Sequence, residues 1–343
     1  DDGWGDLETA DSEEVFALRA DQSVADWVRR RHGMAHHNYR GISAGQYLRA
    51  MIVGPSNDIE RRALSEGTDS AGGYTVPDIL SAGIIDRLRA SSTVFKAGAR
   101  VVPLTSDTNY IAKVLTDPTP AWRSEAGSIA ESDPTFGRVT LTPRSLGVII
   151  KVSRELIEDS LNISTALPQV IAQAMAAEVD RVALMGSGTP PEPEGVANFG
   201  SLTANAFAGG TLTGYTPFIQ ARTALRTANS DVTAYIMHPR EEGALAGGLD
   251  GEGRPLVPPP AIANMPMLVT TKIPINGGAG TNESSIFAGD WSRLLIGMRT
   301  DLRIEILKER YADTHQYGFV AFLRADVAAE HEAAFTVLEA ITP

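Results

Sequence analysis

The sequence predicts an α+β fold, and three observations carry that prediction. Residues 99–152 alternate apolar and polar positions with the period of a strand, and the pattern returns beyond residue 286. Between them lies an apolar, alanine-rich stretch, 165–185, long enough for the chain's longest helix. Beside these elements sit two segments too polar to bury themselves, one at 54–76 and one at 119–146.

The bulk composition narrows the function classes. With 343 residues and 43% hydrophobic content, the chain can bury one large core or two smaller ones. It has no cysteine, which excludes disulfides and thiolate metal sites. No run of about 18 apolar residues is present, so no membrane-spanning helix is expected. The net charge of -12, with the densest basic group at Arg29, Arg30 and Arg31, argues against a sequence-reading DNA-binding domain.

Taken in order, residues 1–20 are carboxylate-rich and predict a mobile terminus. Val24, Trp27 and Val28 share one side of a short helix within 21–32. A second helix at 43–53 begins with Ser43 and Gln46, a capping-box spacing. Residues 54–76 hold many turn formers and charges and predict an extended linker. Pro77 then opens a helix carrying Ile79, Leu80, Ile84, Ile85 and Leu88. Strands follow at 99–104 and in NYIAKVL, and the flanks of 119–146 are strand-like around a small, acidic tip from Glu125 to Pro134. That segment predicts a hairpin arm projecting from the body. In the long helix, Ser164 or Thr165 is the expected cap and Pro168 falls in the first turn, giving a span of about 32 Å. Helix, strand and helix then alternate from Thr216 through the segment after Pro239, an α/β unit. Strands close the chain.

Several patterns invite a chemical reading. Gly41-Ile42-Ser43-Ala44-Gly45 matches a nucleophile elbow, but HHNYR before it is a poor strand and Ser43 is already a helix cap. His32, His36 and His37 lack a clear third metal ligand. Asp250 and Glu252 miss the spacing of a calcium loop. Glu125 and Glu131, on a solvated tip, suit contact with a basic neighbour better than acid–base work. No phosphate-binding or dinucleotide fingerprint occurs. No catalytic residue, metal or cofactor is expected.

Six stretches carry a resemblance. ERRALSEGTDSAGGYTVP is similar to the end of the N-arm in tailed-phage major capsid proteins of the Hong Kong 97 fold. AWRSEAGSIAESDPTFGRVTLTP resembles their extended loop. KVSRELIEDS, the long helix and GSGTPPEPEGVAN resemble the passage through the spine helix. FAGDWSRLLIGMRTDLRIEIL and HQYGFVAFLRADVAAEHEAAFTVL resemble the closing strands of the peripheral domain. The matches run in the family's order from about 60 to 340.

The resemblance implies an organisation. Residues 1–76 form an N-terminal segment and N-arm. The peripheral domain takes 77–118 and 147–211, with the spine helix at 165–185, and ends with closing strands at 291–343. The extended loop is 119–146 and the axial α/β domain is 212–290. The resemblance also implies pentamers and hexamers in an icosahedral shell around packaged DNA, which is held by weak, non-specific contact. The implied partners include a portal and a cement or decoration protein, with no membrane. Assembly is expected in the host cytoplasm and the product in the virion. The family often loses an N-terminal segment to a protease, which a chain opening at Asp1 fits. The expected contacts between subunits are Trp122, Arg123, Glu125, Glu131, Asp133, Phe136 and Arg138 on the loop, and Arg61, Arg62, Leu64 and Tyr74 on the N-arm. The loop's carboxylates are expected to meet arginines of a neighbour, such as Arg87, Arg89, Arg154 and Arg181. Residues 119–146 hold no lysine, so an isopeptide crosslink from this loop is not expected. The alternatives are an encapsulin-like nanocompartment, a gene transfer agent shell and, in another class, a serine hydrolase using Ser43.

Overall fold

The computed structural model describes residues 17–19, 21–32, 42–66, 78–104, 106, 108–116, 135–159, 163–299, 302–307 and 310–343. The chain begins with short helices laid on a longer one. Leu18 makes an isolated antiparallel bridge to Val101, and α1 (Val24–His32) follows. The carboxylate of Asp86 accepts from the Ser23 hydroxyl at 2.6 Å and the Val24 amide at 2.8 Å, satisfying donors that a helix start leaves open. Helix α2 (Ala44–Val53) has the expected capping box, with Ser43 and Gln46 each bonding the other's backbone. The stretch read as an extended linker instead contains α3 (Asp58–Glu66), an amphipathic helix whose Ala63 is buried and whose Leu64 packs on the core. Asn57 bonds the Glu60 amide at 2.8 Å, a start signal hidden among turn formers.

Helix α4 (Asp78–Ser91) and the one-turn α5 (Thr93–Ala97) lead into the first strands. These are β1 (Arg100–Leu104), β2 (Asn109–Thr116), β3 (Thr135–Leu141) and β4 (Arg144–Ser153). A short α6 (Arg154–Asp159) precedes α7 (Ile163–Met185), whose 23 residues make a rod of about 35 Å. The helix starts before the expected cap, so Pro168 lies inside it rather than in its first turn, and Ser164 lacks an amide partner four residues on.

The second half builds a second sheet and completes the first. In order come β5 (Gly210–Thr211), α8 (Thr216–Thr227), β6 (Ala234–Met237), α9 (Pro239–Ala246), α10 (Pro260–Ala263), β7 (Met267–Val269) and β8 (Ser284–Gly289). Then come β9 (Leu294–Arg299), β10 (Arg303–Leu307), β11 (Gln316–Ala329) and β12 (Phe335–Thr342). The first sheet runs β1-β9-β11-β10, with β4 also paired to β11. The second runs β5-β12-β8-β6-β7, so the final strand leaves the other closing strands and joins the α/β unit. A 3-10 turn at Glu332–Ala334 redirects the chain there, and β12 pairs antiparallel with β8. The strands of 291–343 are thus shared between two sheets, β9, β10 and β11 in the first and β12 in the second.

The two sheets meet α7 and α5 in a continuous core. Ile296, Met298, Phe319, Ala321, Leu323 and Val327 face Ile171, Met175, Val179 and Ala183 of the long helix. Alanines at 172, 176 and 183 remove bulk where helix and neighbours approach. Asp180, buried on α7, accepts from the Ser92 hydroxyl at 2.5 Å and the amides of Thr93 and Val94 at 2.8 and 3.1 Å. It thereby caps α5 from another element. Asp180→Ala should leave those donors unpaired and lower unfolding free energy by at least about 2 kcal/mol in urea titrations, with Asp180→Asn losing less. An unchanged urea midpoint for Asp180→Ala would show that the cap carries no stability.

Candidate assembly surface

Strands β2 and β3 form a separate two-stranded antiparallel sheet, here called the arm. Asn109 pairs with Leu141 and Ile111 with Val139. On that face Ile111, Val139 and Leu141 are buried against Val102, Leu104 and Leu295, so the root of the arm rests on the body sheet. The opposite face carries Tyr110, Phe136 and Arg138. Tyr110 is 61% and Phe136 69% exposed, and the Arg138 guanidinium lies 4.9 Å from the centre of the Tyr110 ring. An exposed ring pair of this kind on a two-stranded ribbon has no core of its own to enter.

The body sheet presents a second exposed apolar surface. One face of β9, β11 and β4 covers α7, and the other faces away from it. Above Gly297 this outer face is occupied by the arm's root, because a Cβ there would sit 2.8 Å from Leu104 and 3.2 Å from Leu141. Further along, Ile149 is 48% and Phe322 41% exposed. Val320 pairs with Ile149, and Phe322 pairs with Gly147 and lies over it. Lys151 lies 4.7 Å from the centre of the Tyr311 ring. Arg303, Lys151 and Arg324 are exposed beside this patch, with Glu305 the carboxylate on β10. Ile149 and Phe322 were not among the expected contacts. Their signal is in the sequence, since LGVIIKV in β4 puts apolar side chains on both faces of one strand.

The expected site residues divide. Phe136 and Arg138 are exposed on the arm, while Trp122, Arg123, Glu125, Glu131, Asp133 and Tyr74 lie outside the described residues, as do His36 and His37. Arg61 and Arg62 are exposed on α3, where Arg61 pairs with Asp58 at 3.0 Å. Two arginines proposed as partners are already engaged within the chain. Arg89 is buried and donates to the carbonyls of Gln22 and Arg19 at 2.6 and 2.7 Å. Burial pulls its guanidinium below the usual arginine range. Arg181 bonds Glu178 and Glu192, and the Glu178 bond holds it well above that range. Arg222 and Arg226 likewise flank Asp231 and hold that carboxyl well below the usual carboxylate range.

The alternative chemical readings meet the same test. Ser43 sits at the start of α2, and its hydroxyl accepts from the Gln46 amide, the geometry of a cap. Asp250 accepts from the amides of Glu252 and Arg254 and pairs with the Arg254 side chain, so an arginine occupies that turn's acidic side. Among the described residues no three His, Asp or Glu side chains converge as a metal site, and no helix is long and apolar enough to cross a membrane.

A long helix under a sheet, a second sheet with its own helices, and a two-stranded ribbon outside both sheets make up an α+β subunit that leaves apolar surface uncovered. The family model described as the phage capsid family matches residues 72–340, and the chain belongs to that family. It is similar to the major capsid protein of Klebsiella oxytoca phage phiKO2, with 25% identity over 300 residues, covering 82% of this chain and 70% of that protein. Among solved structures it resembles the capsid of a native GTA particle, with a TM-score of 0.56 and 21% identity, covering 74% of this chain and 91% of that one. It also resembles the structure from Microbacterium phage Oxtober96, with a TM-score of 0.56, 18% identity and the same coverage. The fold is of the Hong Kong 97 type, and the chain is a structural subunit of a phage capsid. Helices α1, α2 and α3 precede the matched span.

The close approach at Gly297 gives a direct check on how the arm is seated. Gly297→Ala should overpack the root against Leu104 and Leu141, costing about 1–3 kcal/mol of subunit stability. Thermal unfolding of the full chain measures it. A melting temperature equal to that of the wild type would mean that the root relaxes freely.

Proposed function

We propose that the chain self-assembles as pentamers and hexamers into an icosahedral shell enclosing packaged double-stranded DNA. The observation that carries this reading is a pair of exposed apolar surfaces on one subunit: the ring face of the arm, and the Ile149–Phe322 patch on the body sheet. In a capsid-family chain each is suited to be covered by another copy. Residues 119–146 act as the extended loop, with Trp122, Arg123, Glu125, Glu131, Asp133, Phe136 and Arg138 meeting a neighbour. Arg61, Arg62 and Tyr74 serve as arm contacts, while Leu64 turns to its own subunit's core. The span 212–290 is the axial domain, with β12 added to its sheet. The shell holds by non-covalent contact, since arginine cannot supply an amine nucleophile in place of the missing loop lysine. A portal and a cement or decoration protein complete the particle, which forms in the host cytoplasm. The subunit performs no catalysis.

The segment 117–134 contains Asp117, Glu125, Glu131 and Asp133 against Arg123. That excess of carboxylates complements the cations around Ile149 and Phe322. Each exposed pair should contribute only about 0–1 kcal/mol, and the term repeats at every equivalent contact.

The test is the purified full chain, followed by sedimentation and electron microscopy, with nucleic acid measured in the particles. Closed shells containing DNA are expected, and a well-folded monomer at high concentration would reject the assembly reading. Shells filled with protein would favour a nanocompartment instead. Phe136→Ala should leave subunit melting within about 0.5 kcal/mol of wild type, as for a surface change, while cutting the yield of shells. Glu131→Arg should slow or misdirect assembly at low salt. Normal assembly of both variants would remove the loop from the interface.

A further inference from the structure

A buried carboxylate stands where the arm joins the body. Asp326 on β11 pairs with Gly297 of β9, on the outer face that receives the arm's root. Only 7% of the residue is exposed. One carboxylate oxygen accepts from the Thr142 amide at 2.6 Å, and the other from the Val327 amide at 2.9 Å. Thr142 and Pro143 are the whole connection between β3, which ends at Leu141, and β4, which starts at Arg144. Proline has no N–H, so the Thr142 amide is the single backbone donor of that connection. It is bonded to a residue 184 positions away in sequence. Two positions on, the Arg144 side chain donates to the carbonyls of Glu192 and Gly188, which secures the far side of the joint.

We propose that Asp326 is the positioning residue that sets the direction in which the β2–β3 arm leaves the subunit. The claim rests on the assembly reading for its purpose and on this geometry for its content. The apolar root fixes where the arm touches the body, and its contacts are non-directional. A hydrogen bond to an ionised oxygen is directional and about twice as strong as a neutral one. Its location is otherwise unfavourable, because burial pushes the Asp326 carboxyl up, against the pull of the two amides and Arg144. The Thr142 hydroxyl adds a further bond to the carboxylate, while Gly297, Val102 and Leu104 from β9 and β1, and Leu141 from β3, bring no charge. A leucine there would remove the buried charge but leave the Thr142 and Val327 amides without this acceptor. The carboxylate earns its place by orientation.

The absence of native cysteine permits a direct measurement on the full chain. Spin labels on cysteines placed at Thr140 and Glu339, both exposed, report the angle between arm and body as a distance distribution in dilute, unassembled subunits. The otherwise unchanged chain should give one narrow distribution. Asp326→Leu leaves the Thr142 and Val327 amides without this acceptor and should melt lower than that chain, and, at a temperature where it is still folded, it should broaden the distribution at least twofold and cut the yield of closed shells at least fivefold. Asp326→Asn retains one acceptor oxygen and should fall between, which also covers the case of a leucine variant that fails to fold. An unchanged distribution in both variants overturns the proposal. Loss of shells in step with loss of stability, with the distribution unchanged at temperatures where both variants are folded, also overturns it, since Asp326 would then be an ordinary structural residue. If the parent chain forms no shells but the distributions change as stated, the assembly reading fails and the positioning role stands.

Discussion

The structure depends on one packing constraint: a single long helix must cover one face of a sheet whose other face remains open. Helix α7 buries small residues at 172, 176 and 183 and larger ones at 171, 175, 179 and 184, between the sheet on one side and α2 and α4 on another. The same helix contributes Asp180, which organises the start of α5, and α5 in turn lies beside β6 and β7. Trp291, fully buried, donates to the Ala234 carbonyl at 2.9 Å and stacks edge-on against Phe335 of the second sheet. The helix–sheet contact and the joint between the sheets therefore share residues. A change at one is felt at the other.

A strand has two faces, and the chain spends α7 on only one of them. The outer face is partly covered from within, by Val102, Leu104, Ile111, Val139 and Leu141 at the root of the arm. The remainder is left with Ile149 and Phe322 in solvent, at a position where an isolated protein of this size would favour polar side chains. The arm repeats the pattern: one face, with Ile111, Val139 and Leu141, is apolar and buried, and the opposite face carries Tyr110 and Phe136 outward. Both incomplete surfaces arise from the same economy of core. A subunit that finished its own packing would have less reason to associate.

Much of this was legible in the sequence, and the failures have physical causes. The long helix, the capping box at Ser43 and Gln46 and the α/β unit all follow from local periodicity and turn chemistry, which act over a few residues. Helix α3 was missed because Asn57, Asp58 and Ser65 look like turn formers, whereas Asn57 in fact caps the helix. The placement of β12 was missed because pairing partners are chosen by topology. Its alternation says strand but not which sheet. Arg89 and Arg181 were taken for surface charges because nothing local reveals the carbonyls and carboxylates that surround them. Asp326 was invisible for the same reason, its partner lying 184 residues away. Residues whose role is set by distant contacts are those a sequence shows least.

The treatment of charge bears on how such a subunit can associate reversibly. The described arginines that are best bonded are committed inside the chain: Arg89 to backbone carbonyls, Arg181 to two glutamates, Arg222 to Asp231, and Arg240 to Glu241 and the Ile341 carbonyl. These bonds hold elements together and are partly shielded from salt. The cations beside the Ile149–Phe322 patch stand in solvent, where screening acts over about 10 Å at 0.1 M salt. Strong, desolvated electrostatics thus serve the fold, and weak, exposed electrostatics face outward. That division suits assembly from many copies. A wrong contact made through weak pairs can dissociate before its neighbours lock it, while the subunit itself is not disturbed by the exchange. In the proposed assembly, burial of the apolar patch would supply the gain once alignment is right, and the directional bond proposed for Asp326 would narrow the orientations in which the arm arrives.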